Sequence, residues 1–490
     1  MAAAAPRFSW RVSAAARQLS YRLVVAQTFP AARTLWDSGE VASNATALVP
    51  FGGAAALPAD ADLSWSVAVS LAGVGLVSAE ASFSTAPASP LPGAWLGLAD
   101  TLRASLALAP GPVLRARLHA TGAGCFHAYV NGVRVSPELA PGFGHAPSAR
   151  MPFLSFDVAR LLVAGAENVV AMRIGSCKFG TYDQYCDKGS PALCNVAWAL
   201  LSVVQDGPNA TTLLPTSGEA WRATNTSVVR QHLYDGEVFD ARLEQDGWSS
   251  PGFANASAWS TATEVDTSDL LGPLSPLGAR PVVRAESFAA ASVAALADGS
   301  AFVFDLGPLL NMAGHCELEL APPPGEAPVP AGRVVSLLHA EGLNASTGAV
   351  WNWYLTHSGC TMTCASDLGG CPVNCAAMNA TYITRGGGHE LFLPPHFSYF
   401  GFRWVQLDGW PYSAPPTASS LTCHFTHSAL PAALGLSFPA APALEALQTM
   451  VVRTHLSNFV SVPTDCPQRE KRGCMYPRQD PARPPPIASH

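Results

Sequence analysis

The sequence predicts a mostly β chain, a tandem array of β-sandwiches closed by one helix, and three observations predict it. Short runs alternate apolar and polar positions between Gly, Asn, Asp and Pro turn signals over most of residues 8–412. Asn131-Gly132 stands between two such runs, the pattern of a type I′ hairpin. From Leu444 the period changes, with Leu444, Leu447, Gln448, Val451, Thr454 and His455 at helical spacing.

Taken in order, Ser20–Val25 and Leu63–Val69 read as strands, with turns at Asp37-Ser38-Gly39 and Gly52-Gly53. Trp10, Tyr21, Trp36 and Trp65 read as core aromatics, and short strands at this spacing predict a fibronectin type III-like sandwich over 1–88. A second β block follows over 89–270. It holds the strand Val113–Leu118, the hairpin Tyr129–Val135, a helical turn at 157–162 opened by Asp157, and the strand Asn168–Ile174. The third block, 271–425, has its clear strands at Ala301–Leu306, Val334–His339 and Phe402–Leu407, with a Cys- and Gly-rich excursion from Ser358 to Gly388. The helix from Leu444 spans about four turns and ends at Asn458. Pro477, Pro481 and Pro484–Pro486 forbid regular structure, so 476–490 reads as a disordered tail.

Composition narrows the function. At 490 residues the prior is roughly three domains. Hydrophobic residues make up 49% and charged residues 13%, so large cores are expected. A net charge of -7 with no basic stripe argues against nucleic acid as a partner. The most apolar stretch, Val67–Ala79, is broken by Ser70, Gly73 and Gly75, so no membrane span is expected. Met1–Gln18 lacks the apolar block of a signal peptide. Six Asn-X-Ser/Thr sequons, at Asn44, Asn209, Asn225, Asn255, Asn344 and Asn379, and clustered cysteines nonetheless favour a secreted or luminal location. Cys360, Cys364, Cys371 and Cys375 fall in one loop and Cys177, Cys186 and Cys194 in another. Disulfides among the first four are the expectation. Zinc is the alternative, and their spacing lacks the usual two-residue knuckle.

The richest chemistry lies near the end, in Pro463-Thr464-Asp465-Cys466-Pro467-Gln468-Arg469-Glu470-Lys471-Arg472-Gly473. Two carboxylates and three cations stand together just after the helix. A bland reading remains open: Thr464 or Asp465 caps a helix, Pro467 sits in its first turn, Gln468 completes a capping box and the charges form a solvated face.

The order of motifs resembles the α-L-rhamnosidases of glycoside hydrolase family 78. The first block matches through Phe8-Ser9-Trp10, Gln18-Leu19-Ser20-Tyr21 and Trp36-Asp37-Ser38-Gly39. The second matches through Tyr129-Val130-Asn131-Gly132, Phe156-Asp157-Val158, Gly236–Arg242, Gly247-Trp248 and Ala258-Trp259. The third matches through Phe304-Asp305-Leu306-Gly307, Asn311-Met312-Ala313-Gly314, His339-Ala340-Glu341 and Phe397–Arg403. The resemblance implies three sandwiches (fibronectin type III-like, jelly-roll-like and concanavalin-like), then the start of an (α/α)6 catalytic barrel over 426–475. It departs at Pro308-Leu309-Leu310, which intervene between two family motifs, and at Cys474 and Pro477, where the family has Trp and an acid. The expectation is therefore a truncated barrel and a fragment inactive by itself.

Inverting cleavage needs one acid to protonate the leaving oxygen and a second carboxylate, roughly 6.5–9.5 Å away, to activate water. The resemblance implies Glu470 as the general acid, and Asp465 and Arg469 as residues that hold the sugar. The base is expected downstream of this chain. Rhamnose-containing glycosides or polysaccharides would be the substrates. No redox cofactor is needed, and no acidic cluster compels a calcium site. Glu237, Asp240 and Arg242 read as a carbohydrate contact or a buried ion pair, His339 and Glu341 as a polar pair on one strand face, and Trp351 and Trp353 as a sugar shelf or core. The alternative for the whole chain is a non-catalytic carbohydrate-binding array.

Overall fold

Alternation along strands decides which side of each sheet is buried, and sheets pair where two apolar faces meet. A computed structural model describes residues 6–12, 16–139, 148–175, 177, 196–206, 211–234, 236–254, 258–269, 271–308, 310–352, 355, 376–393, 397–430, 436–469 and 471. The chain divides into two compact units, Met1–Leu91 and Pro92–His490.

In the first unit the strands Arg33–Asp37, Gln18–Phe29, Asp62–Leu71 and Gly75–Ser84 form an antiparallel sheet in that order. Tyr21, Leu23 and Val25 face Val69, Val67 and Trp65 across it. They bury with Phe8 and Val49, which come from the two-stranded sheet Arg7–Phe8/Val49–Pro50. Trp10, Trp36 and Trp65 pack on this core, as expected. At the Asp37 turn Gly39 takes φ +61°. There Asp37 accepts the Gly39 N–H at 2.9 Å.

The second unit stacks two pairs of sheets. In the first pair a six-stranded sheet centres on Glu167–Gly175 and Thr101–Ala107, and a seven-stranded sheet centres on Ala197–Gln205 and Val113–Gly122. Leu102, Phe126, Val170 and Met172 meet Leu118, Ala199, Leu201 and Val203 in one core. The Asn-Gly hairpin forms as read: Tyr129 pairs with Arg134, and Asn131 and Gly132 take φ +49° and +83°. Asn131 also donates to Leu161 O (2.7 Å) and Asn168 Oδ1 (2.8 Å) and accepts the Val169 N–H (2.8 Å). The turn at 157–162 is the 3-10 helix Ala159–Leu161. Its cap position is Val158 rather than Asp157, because the strand Met151–Asp157 runs through Asp157; the Asp157 carboxylate still accepts the Ala159 N–H at 3.1 Å.

In the second pair a seven-stranded sheet runs Val228–His232, Gly236–Asp240, Asn379–Ile383, Val334–Ala340, Trp404–Asp408, Ala301–Asp305, Ser292–Ala295. It faces a five-stranded sheet containing Val282–Ala289, Leu421–Ser428 and Met312–Leu320. Val228–His232 and Gly236–Asp240 precede residue 270, yet they join this sheet: Gly236–Asp240 pairs in parallel with Asn379–Ile383. The third block thus borrows its edge from the second. Gly236, at φ +86°, has no room for a Cβ, which would lie 1.7 Å from the Asn379 carbonyl oxygen. Among the described residues two disulfides staple the unit, Cys125–Cys177 and Cys316–Cys423, the latter between register partners. Cys186 and Cys194 lie outside the described residues.

The helix is Pro442–Ser457, with Pro442 in its first turn and Asn458 at its end. Arg453 ties it to the five-stranded sheet through Glu286 (3.0 Å) and lies over Phe288 and Phe425. Leu444, Leu447, Met450 and Val451 are exposed. The expected apolar stripe is real, but nothing among the described residues covers it.

Asn131 tests the hairpin. Asn131→Ala puts a Cβ-only side chain at positive φ and removes three side-chain hydrogen bonds, so unfolding in denaturant should show a loss of about 2–4 kcal/mol. A loss under about 0.5 kcal/mol would show that the turn does not fix the register.

Candidate functional site

The run after the helix does not begin a new helix. Phe459–Val460 folds back on Val462–Pro463 through Ser461 at φ +72°, and the Ser461 N–H donates to Ser428 Oγ at 2.8 Å. Val460 is buried beside Leu233, Val282 and Tyr399. Thr464 closes the bend, its N–H and hydroxyl donating to Asn458 O at 2.7 and 3.1 Å. The capping-box reading is thereby corrected. Asp465 accepts the adjacent Cys466 N–H at 2.8 Å, and residues 467–469 form a turn. Gln468, instead of turning back on Asp465, donates to Glu341 at 2.6 Å.

That turn lies against the second pair of sheets. Pro467 sits over Gly401, where an added Cβ would stand 2.7 Å from Pro467 Cγ and 3.1 Å from Gln468 Cβ. Glu341 also accepts from Asn311 at 2.9 Å, so one carboxylate joins the motifs around 311 and 341 to the run. The strongest anchor is Lys471, which is fully buried (0% exposed). Its ammonium donates to the carbonyls of Leu233 and Tyr399, both at 2.6 Å. It lies 4.8 Å from the Tyr399 ring, 5.4 Å from Phe400 and 5.9 Å from Tyr234. A buried cation is costly unless donors are satisfied and aromatic faces replace water, and this cage supplies both. The Lys471 N–H, donating to Cys466 O at 3.1 Å, closes the loop 466–471.

Within that loop Asp465 is exposed and Arg469 half-buried. Glu470 lies outside the described residues, as do Cys360, Cys364, Cys371, Cys375, Trp353 and residues 476–490. Asp240 is buried and accepts from the half-exposed Arg242 guanidinium at 2.9 and 2.7 Å, which lowers its pKa. It also caps the turn Ala241–Leu243, so this pair ends a strand. Glu237 is buried on that strand. Trp351 is exposed. Among the described residues no group of three His, Cys, Asp or Glu side chains converges as a metal site would.

His339 and Glu341 do not act as a pair. Glu341 follows the strand and reaches the run, whereas His339 is fully buried, stacked on Phe400 with ring centres 4.2 Å apart. Burial, reinforced by the Lys471 charge, pushes its imidazole down to about 3. Sequence reasoning missed Gly401, the burial of Lys471 and the partners Leu233 and Tyr399. The Gly between two Phe residues was the available signal, since a close backbone approach favours Gly.

Two outcomes follow. Lys471→Met removes the ammonium's two hydrogen bonds, leaving the Leu233 carbonyl with only the Ser398 hydroxyl, and should cost about 2–5 kcal/mol in denaturant unfolding of the second unit. The His339 imidazole should stay neutral from pH 8 to pH 5 by NMR. Because its folded pKa lies below the unfolded value of about 6.5, its stabilisation is complete above that pH and declines as pH falls towards about 3. Titration near pH 6.5 would contradict the burial.

Four family models match in sequence along the chain. These are a Rha78A-like N-terminal immunoglobulin domain (1–89), an α-L-rhamnosidase N-terminal domain (111–285), a bacterial α-L-rhamnosidase concanavalin-like domain (296–427) and a bacterial α-L-rhamnosidase 6 hairpin glycosidase domain (439–475). An α-L-rhamnosidase of Streptomyces avermitilis is 32% identical over 376 residues, 76% of this chain and 33% of that protein. One from an Alteromonas species is 25% identical over 96% of this chain and 50% of its own length. The crystal structure of the Aspergillus terreus α-L-rhamnosidase superposes with a TM-score of 0.76 at 24% identity, over 95% of this chain and 52% of that one. The S. avermitilis enzyme in complex with L-rhamnose gives 0.74 at 22%, over 96% and 60%. The chain thus spans a third to a half of the length of these curated relatives, and with every family model in the same series it belongs to the α-L-rhamnosidases of glycoside hydrolase family 78.

Proposed function

We propose that this chain belongs to an inverting glycosidase that releases terminal α-L-rhamnose from glycosides or polysaccharides. The observation that carries the reading is the unbroken order of four α-L-rhamnosidase family matches, the last of them over 439–475. In this reading residues 1–88 are the fibronectin type III-like sandwich, 89–270 the jelly-roll-like one, 271–425 the concanavalin-like one, and 426–475 open the (α/α)6 barrel. The exposed face of Pro442–Ser457 supports the last assignment, since a barrel helix presents such a face to its neighbours.

Glu470 is the general acid, and Asp465 and Arg469 hold sugar hydroxyls. Asp465 is exposed. The chemistry asks the acid to be protonated near neutral pH, which the carboxylate of Asp465 favours and the cation of Arg469 opposes. Lys471, the next residue, is held in its cage, which gives position 470 a fixed backbone neighbour. The water-activating carboxylate comes from the part of the relatives' length that this chain does not span. The 490-residue chain alone is then inert towards an aryl α-L-rhamnoside.

The test is a polypeptide carrying this chain together with the complete barrel. It should hydrolyse an aryl α-L-rhamnoside with β-L-rhamnose as the first anomer seen by NMR. Glu470→Gln should lower kcat about 10²–10⁴-fold with little change in stability. An unaffected rate would move the acid elsewhere, and turnover by the 490-residue chain alone would place both carboxylates within it.

A further inference from the structure

We propose that Asn44 and Asn344 are sites of N-linked glycosylation, each taking an oligosaccharide from a lipid diphosphate carrier, whereas Asn379 is never modified despite its sequon. The inference is independent of the rhamnosidase reading. Both buried disulfides, Cys125–Cys177 and Cys316–Cys423, indicate folding in an oxidising compartment, where such transfer takes place. The sequons then become chemically relevant, and the structure separates them.

Asn344 stands at a hairpin tip. Leu343 bridges to Val350, the Asn344 N–H donates to Ala349 O at 2.8 Å, and residues 345–348 are all exposed. Its carbonyl oxygen Oδ1 is fully engaged. It accepts the Ser346 hydroxyl at 2.6 Å and the backbone N–H groups of Ser346 and Thr347 at 2.9 and 3.3 Å. This Asx turn fixes the side-chain plane through Oδ1 and leaves the amide nitrogen Nδ2, the atom that must be glycosylated, outside those three hydrogen bonds. Ser346, which carries the sequon hydroxyl, is exposed. Asn44 is exposed in a loop whose main chain is pinned on either side, Gln18 donating to Ser43 O at 2.9 Å and to Ala45 O at 3.0 Å. A bulky substituent there projects from a fixed base and meets no packed surface.

Asn379 is the internal control. It opens a strand paired on both sides, with Gly236–Asp240 and with Val334–Ala340. Its Oδ1 is buried and its Nδ2 donates to Thr381 Oγ1 at 3.3 Å. A glycan there would displace the Nδ2–Thr381 contact beside the buried Oδ1, in the middle of a paired sheet. At Asn225, whose Oδ1 accepts the Asp100 N–H, the sequon hydroxyl of Ser227 is buried against Glu244, so it is left out of the proposal.

In the transfer Nδ2 attacks the anomeric carbon and the bond from that carbon to the diphosphate oxygen breaks. The lipid diphosphate leaves with the electron pair, and Nδ2 gives up one proton. No oxidant or reductant is involved. The test expresses the chain behind a secretion leader in a glycosylating eukaryotic host. Peptide-N-glycosidase in heavy-oxygen water then marks each modified Asn as a labelled Asp, read by mass spectrometry. Most Asn44 and Asn344 peptides should carry the label, Ser346→Ala should abolish it at Asn344 alone, and the Asn379 peptide should be unlabelled. If secretion is poor, the same peptides are read from the lumenal pool. Unlabelled Asn44 and Asn344, or a labelled Asn379 in folded protein, would overturn the proposal.

Discussion

One buried charge organises the run that follows the helix. The Lys471 ammonium sits between the carbonyls of Leu233 and Tyr399 and against three aromatic rings. These groups come from the turn after Val228–His232 and from the entry to Phe400–Phe402, so three distant parts of the chain meet at one cation. The Leu233 carbonyl also accepts the Ser398 hydroxyl at 2.9 Å, which ties two of those parts directly to each other. A cation placed so deep tolerates little displacement, because every shift exposes an unpaired donor or carbonyl to an apolar core.

The same logic explains why strands from before residue 270 belong to the second pair of sheets. Without Val228–His232 and Gly236–Asp240 the cage would lack Leu233 and Tyr234. The second pair of sheets therefore does more than carry the helix. It reaches the run through Gly401, Glu341, Leu233 and Tyr399, and positions the backbone from which Asp465 and Arg469 project. A loop bearing an acid gains precision when it is braced by rigid elements, since catalysis depends on ångström-scale placement.

Much of this was legible in the sequence where a local rule governs. The Asn131-Gly132 hairpin, the main strands and the helix from Pro442 follow from backbone preference and period, which act over a few residues. Long-range choices were not legible. Period-2 alternation could not reveal that Gly236–Asp240 would pair in parallel with Asn379–Ile383, nor that Cys316 would face Cys423. The run at 464–471 carried a good capping signal, but the tertiary bonds of Gln468 and Lys471 outweighed the local preference. His339 and Glu341 were read as neighbours on one face, whereas the strand ends between them and their side chains serve different ends.

The most direct test of this account is hydrogen exchange of the backbone amides of residues 466–471 in the intact chain. If the run is locked by the Lys471 cage, the Lys471 N–H, bonded to Cys466 O, exchanges as slowly as amides in Met312–Leu320 and opens only with the sheet. Exchange at the rate of an unstructured peptide while that strand stays protected would contradict it.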